Sequence, residues 1–83
     1  MITEQNLAAE IEEQLLRLHG PMISGDALRT ALGYPSMEAF RQALSRKTVP
    51  IHVFSIEARR GKFALVRDLA RWLASQRESR KGD

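Results

Sequence analysis

Cysteine is absent from this chain of 83 residues, so neither a disulfide framework nor thiolate chemistry is available to it. No apolar run approaches the roughly 20 residues that a membrane-spanning helix needs. The first residues also lack the pattern of a secretory signal peptide. We therefore expect no association with a membrane and a location in the reducing cytoplasm.

The side chains that usually carry catalysis are few and scattered. Of two histidines, His19 lies at a predicted helix end and His52 in a predicted strand, and neither has a second ligand at metal-binding spacing. Gly20, Gly25 and Gly33 each mark a helix boundary, so the chain has no glycine-rich phosphate loop. These absences predict a protein that is not an enzyme, with no catalytic residue, metal, cofactor or small-molecule substrate.

Charge is distributed unevenly along the chain. Residues 1–20 carry four acids and one base, a net charge of −3, whereas residues 41–62 carry six bases and one acid, a net charge of +5. A basic body attached to an acidic helix favours a polyanionic partner. A basic surface that serves only solubility would give the same numbers.

The apolar content of 43% is that of a globular protein, and the length suits a single domain. The predicted parts of this domain, residues 1–83, are an N-terminal helix at 3–19, a helix-turn-helix at 23–47, a β-hairpin at 50–66, a C-terminal helix at 67–76 and a flexible tail at 77–83. The first helix is indicated by Leu7, Ile11, Leu15 and Leu18, which recur at helical spacing.

Two short helices joined by the turn "GYPS" make the outline of a helix-turn-helix. Ser24 and Ser36 stand where each helix would need an N-cap. In the second of these helices, Met37, Phe40 and Leu44 form the stripe that we expect to face inward.

The period changes to that of strands after Pro50. "IHVFSI" and "KFALV" are rich in β-branched and aromatic residues, with "EARRG" between them as a turn. Trp72 shares a face of the last helix with Leu69 and Leu73, which favours core packing over base stacking. We therefore predict a mainly α protein with a small β-hairpin, of the α+β class: a winged helix-turn-helix with an extra N-terminal helix.

Two basic features fall on one predicted face, namely the second helix of the helix-turn-helix (about 36–46) and the hairpin tip (57–62). An α-helix fits the major groove of B-DNA, where arginine pairs with guanine and glutamine with adenine. The predicted base contacts are Arg41, Gln42 and Ser45, and the predicted phosphate contacts are Ser36, Arg46, Lys47, Arg59, Arg60 and Lys62. The expected function is sequence-specific binding of double-stranded DNA.

The stretch from residue 23 to about 74 resembles the excisionase-like, MerR-type winged helix-turn-helix domains, which include phage AlpA-type regulators. The matching segments are "TVPIHVF" (48–54), "EARRGKFAL" (57–65) and "DLARWL" (68–73). The resemblance implies a small transcriptional regulator or an accessory factor of recombination and excision, associated with a mobile element. The helix "SMEAFRQAL" lacks the Thr/Tyr pattern common in that family, so the bases that it reads are not implied.

Two other readings of the sequence remain open. The same fold would serve as a protein-interaction module that docks an acidic partner, or as an RNA-binding winged helix. The helix at 3–19 lies outside the resemblance, and its apolar face would either cover the core or pair with a second copy. A homodimer through this helix is therefore a further expectation, since many helix-turn-helix proteins bind two-fold sites.

Overall fold

The computed structural model describes residues 4–78 and belongs to the α+β class, as predicted. Its elements in chain order are α1 (Glu4–His19), β1 (Met22–Ser24), α2 (Gly25–Leu32), α3 (Met37–Arg46), β2 (Phe63–Leu65) and α4 (Val66–Glu78). Thr3, the first residue of the predicted N-terminal helix, and residues 79–83 of the predicted tail lie outside the described residues.

Helix α1 packs chiefly against α4. Leu7 is buried and Leu15 packs against the core, so most of the predicted apolar face covers this chain itself. Leu18, at the end of the same face, is 75% exposed and does not cover the core. Gly20 follows α1 with a φ of 77° and donates its N–H to the Leu16 carbonyl, a conformation in which glycine avoids the strain of a Cβ atom.

Helices α2 and α3 form where the helix-turn-helix was predicted. The Ser36 Oγ accepts a hydrogen bond from the Ala39 N–H (3.1 Å), which confirms this residue as the N-cap of α3. Ser24 occupies the N-cap position of α2, but its side chain makes no capping hydrogen bond within the described residues. Ser24 is also the last residue of β1, and its backbone is extended, with φ −151° and ψ 174°.

The end of α2 is held by polar contacts that the sequence did not suggest. The Arg29 guanidinium donates to the Tyr34 carbonyl (2.7 Å) and to the Asp26 carboxylate (2.9 Å). The hydrogen bond and the charge of Arg29 lower the pKa of Asp26 below its ordinary value. Gly33 ends the helix with a φ of 92°, as predicted.

The β-sheet differs from the predicted hairpin. Strand β1, which the sequence did not suggest, pairs antiparallel with β2, and Ile23 lies opposite Ala64. Residues 51–56 form no strand within the described chain and contribute only one isolated bridge, between Phe54 and Phe63. Their alternating pattern has another cause: Ile51 and Val53 pack against the core, while His52 between them is exposed.

The core lies where the two strands meet the helices. Its buried members are Ile23, Leu28, Leu32, Phe40, Ala64, Val66 and Leu69. Trp72 packs against this group from α4, as predicted. Helix α4 continues two residues beyond the predicted end at 76, so the start of the predicted tail is helical. Across residues 4–78, every helix is too short or too polar to cross a membrane.

Candidate nucleic-acid interface

The side of α3 that faces away from the core is polar. Its exposed residues, called the α3 outer face here, are Glu38, Arg41, Gln42, Ser45 and Arg46. Phe40 and Ala43 are buried on the opposite side, at the spacing of a helix that packs on one face. The three predicted base contacts therefore share one exposed face, and their contact with DNA stays a prediction.

Two predicted phosphate contacts lie at the ends of α3. Ser36 uses an oxygen lone pair to cap the helix, which leaves its hydroxyl hydrogen able to donate to a phosphate. Lys47 ends the helix in the left-handed conformation, with φ 60° and ψ 39°, where glycine is the usual residue. A lysine held in this conformation costs about 1–2 kcal/mol, and such strain is often found at functional sites.

The basic tip that the sequence placed on a hairpin lies in the loop of residues 55–62. Phe54 and Phe63 close this loop by exchanging two backbone hydrogen bonds of 2.8 Å each. Inside it, the Arg59 N–H donates to the Ile56 carbonyl (3.0 Å), and Ala58 takes a φ of 64°. Gly61, which was predicted to form the turn, also has a positive φ, 90°, but lies beyond that hydrogen bond.

All three cationic side chains of the 55–62 loop are exposed. Arg59 and Arg60 come directly after the turn at residues 57 and 58. Lys62 is held differently, because its ammonium group donates to the Ser55 hydroxyl across the loop (3.0 Å). Ser55 was not among the predicted site residues, since a contact across a loop leaves no local signal in the sequence.

One cavity joins α3 to the 55–62 loop. This α3–loop cavity has a volume of about 290 Å³, and its walls include Met37, Phe40, Arg41, Leu44, Gly61 and Lys62. The guanidinium-bearing side chain of α3 and the ammonium-bearing side chain of the loop thus border the same space. Lys47 borders a different cavity, formed with Leu44, Val49 and residues 51–53. The structure therefore brings Arg41 and Lys62 together and places Lys47 apart from them.

A carboxylate lies beside the basic residues of α3. Glu38 forms an ion pair with Arg41, at 3.9 Å from the carboxylate oxygen to the guanidinium nitrogen. Both side chains are largely exposed, 74% and 68% respectively, so this contact stabilises the fold little. Arg41 can therefore leave it for a stronger anionic partner at small cost.

The acidic helix is kept apart from this surface. Helix α1 packs against α4 and β1, whereas α3 packs against α2. On α1, Arg17 is engaged by Glu13 in an exposed ion pair of 2.8 Å. The negative charge of the first 20 residues thus lies on α1, and basic residues of the 41–62 segment lie on α3, a different helix of the fold.

A further polar surface borders α4. A shallow cavity of about 480 Å³ lies between residues 50–52 and α4, where Asp68, Arg71 and Trp72 border it. Within residues 4–78, no group of histidine and acidic side chains is placed to hold a metal ion. Comparison of the chain with protein-family models, with curated proteins and with solved structures finds no match.

Proposed function

We propose that this protein binds double-stranded DNA as a winged helix-turn-helix, with the α3 outer face in the major groove and the 55–62 loop against the adjacent part of the duplex. Arg41, Gln42 and Ser45 supply the contacts in the groove. The phosphate contacts come from residues on both elements: Ser36, Arg46, Lys47, Arg59, Arg60 and Lys62. In this proposal the protein is a small transcriptional regulator or a recombination accessory factor, as its resemblance to excisionase-like domains implies.

The observation that carries the proposal is the position of Arg41 and Lys62 on one cavity. The two basic features are about twenty residues apart in the chain, and their convergence depends on the fold. The order of the elements supports the same reading, because a short strand precedes the two helices and pairs with the strand that follows the loop. A polyanion that contacts α3 would therefore meet the loop as well.

The first experiment is a titration of mixed-sequence duplex DNA at several salt concentrations. Counterion release predicts that the logarithm of the binding constant falls linearly with the logarithm of the salt concentration. For a handful of phosphate contacts we expect a slope of roughly −3 to −5. Selection of a preferred site from random duplexes follows, since base contacts from α3 predict a consensus sequence.

A matched pair of variants tests the assigned face. Arg60→Ala removes a charge from the loop, and Arg17→Ala removes an equal charge from the exposed surface of α1. We expect Arg60→Ala to weaken binding to every sequence and to make the slope shallower by about 0.9. Arg17→Ala is expected to bind DNA as the parent does.

Three outcomes would contradict the proposal. Equal losses in the two variants would mean that net charge, and not the assigned face, drives binding. A clear preference for structured RNA would favour the RNA-binding reading. Failure to bind duplex DNA even at low salt would favour a protein partner, and the basic loop would then serve another purpose.

A further inference from the structure

The α3–loop cavity combines two kinds of wall. Met37 and Leu44 are half-buried and Phe40 is 2% exposed, so side chains of the core form its floor. Arg41 and Lys62 are exposed and carry the positive charge of its rim. An apolar floor beneath two cations suits a ligand that has both a hydrocarbon part and an anionic part. A deoxyribose joined to a phosphate has this combination, whereas a free inorganic ion has only the charge.

The geometry of duplex DNA places such a group between a helix and a neighbouring loop. The major and minor grooves of one duplex are separated by a sugar–phosphate strand. If α3 lies in the major groove and the 55–62 loop lies against the adjacent minor groove, that strand has to pass between them. The α3–loop cavity is the space between these two elements.

We propose that the α3–loop cavity holds one sugar–phosphate unit of a DNA strand, and that Arg41 and Lys62 bind its phosphate together. This inference rests on the proposed function and changes one of its assignments. Arg41 becomes a backbone contact, and the reading of bases is left to Gln42 and Ser45, which do not border the cavity. Ser55 is a positioning residue, because its hydroxyl accepts the Lys62 ammonium hydrogen bond that orients this side chain.

The local charges are consistent with a phosphate that displaces weak contacts. Arg41 gives up a 3.9 Å ion pair with an exposed carboxylate, and Lys62 can keep its contact with a neutral hydroxyl while it binds the anion. Glu38, the acidic residue of α3, forms that ion pair with Arg41. Its negative charge would repel the phosphate. The charged residues that border the cavity are Arg41 and Lys62, so its rim is positive.

The test uses the whole protein and one duplex that contains its selected site. Single methylphosphonate linkages, which remove the charge of one phosphate, are introduced at each position along both strands. We expect one linkage near the centre of the contact to weaken binding by the parent roughly tenfold, the size of a charge-assisted hydrogen bond. With the double variant Arg41→Ala/Lys62→Ala, the same linkage is expected to have almost no further effect.

Gln42→Ala is the matched control, because this residue lies beside Arg41 on the α3 outer face. It should lose discrimination between sites and keep the full response to the critical linkage. Ser55→Ala should lower affinity about two- to threefold, because the Lys62 ammonium group loses the exposed hydrogen bond that orients it. It should reduce the response to that linkage alone.

Three results would overturn the inference. If the double variant responds to every methylphosphonate as the parent does, the cavity holds no phosphate. If Arg41→Ala instead changes which base pairs are preferred, Arg41 reads bases and the proposed function stands without the cavity. If the parent binds no duplex DNA in the salt titration, the inference fails together with the proposed function, so the two failures are distinguishable.

Discussion

Phe54 and Phe63 join residues 51–56 to the sheet, through both their backbones and their rings. Their backbones exchange two hydrogen bonds of 2.8 Å, and their rings stack with centroids 6.4 Å apart. The His52 ring also stacks with that of Phe54, with their centroids 5.8 Å apart. The 55–62 loop is therefore anchored by a single bridged pair instead of by a long hairpin.

Phe54→Ala is expected to loosen the loop while the helices remain folded. Loss of the stacked rings should lower the free energy of unfolding by about 1–2 kcal/mol, because the ring is half-buried and its cross-strand contacts are modest. In the variant, the amide of Phe63 should exchange with solvent much faster, which hydrogen-exchange NMR would detect. Phe54→Val, which keeps an apolar β-branched residue, is the control. Unchanged protection of the Phe63 amide in Phe54→Ala would show that the rings do not anchor the loop.

Ala58→Gly is expected to stabilise the protein. The φ of 64° at Ala58 places a Cβ atom in the left-handed region, where an alanine costs about 1–2 kcal/mol. Part of this gain is offset by the greater freedom of glycine in the unfolded chain, which leaves roughly 0.5–1 kcal/mol. Thermal unfolding should therefore show a midpoint raised by about 3–6 °C.

The control for this substitution is Ala9→Gly on the exposed surface of α1. Glycine in a helix interior should lower the free energy of unfolding by about 1 kcal/mol. Two variants with the same chemical change would then shift the midpoint in opposite directions. A lower midpoint for Ala58→Gly would contradict the left-handed conformation of this residue.

Lys47→Gly is expected to separate stability from binding. Glycine suits the φ of 60° at the end of α3, so the free energy of unfolding should rise by about 1 kcal/mol. Removal of one phosphate contact should at the same time weaken DNA binding and make the salt slope shallower by about 0.9. Chemical denaturation and the duplex titration measure the two effects.

Lys47→Asn completes this test, because asparagine tolerates the left-handed region and carries no charge. It should bind as weakly as Lys47→Gly. If both variants bind DNA as tightly as the parent, the lysine does not contact the duplex, and its strained conformation has no explanation in DNA binding.

Glu38→Gln is expected to strengthen DNA binding by up to about fivefold, since it removes a negative charge that lies beside Arg41. It should also lower the free energy of unfolding by about 0.3–1 kcal/mol, because a carboxylate in the first turn of α3 interacts favourably with the helix dipole. Glu57→Gln, which removes a carboxylate from the loop instead of from α3, is the variant for comparison. A weaker complex with Glu38→Gln would show that this carboxylate takes part in recognition.

The acid limb of the stability profile is expected to depend on Asp26. Arg29 lowers the pKa of Asp26 in the folded protein by a hydrogen bond and by its charge. The carboxylate therefore contributes stability above its unfolded pKa of about 3.9, and this contribution is lost as the pH falls through the lower, folded pKa. The effect is small because the side chain is 76% exposed.

Asp26→Asn should remove this contribution at neutral pH and leave a flatter dependence of stability on pH in the acidic range. Denaturation curves at a series of pH values below neutrality measure the difference. An acid limb identical to that of the parent would contradict the Asp26–Arg29 coupling.

A homodimer through α1 remains a prediction to be measured. Most of the apolar face of α1 covers α4, which leaves Leu16 and Leu18 as exposed apolar residues on that helix, 41% and 75% exposed. Sedimentation of the parent and of Leu18→Ser would measure whether a homodimer forms through α1. Equal sedimentation of both as monomers would contradict the prediction.

Local information was enough for the helices of this protein. Leu7 and Leu15 follow a period of 3.6 residues, and Ser36 and Gly33 cap or end helices through contacts within a few residues. The exposed side of α3 follows from the same period, because the inward stripe of Met37, Phe40 and Leu44 leaves the opposite side of the helix to solvent.

The sheet and the site depended on contacts between distant residues. Ile51 and Val53 pack against the core, so residues 51–53 alternate like a strand although they pair with no other strand. Strand β1 is too short to show a pattern in the sequence and is defined by its pairing with β2. The same holds for the α3–loop cavity, since Arg41 and Lys62 are brought together by the packing of α3 and by the Phe54–Phe63 bridge. Helical periodicity is encoded within one turn of the chain, whereas strand pairing and cavities depend on which surfaces meet when the whole chain folds.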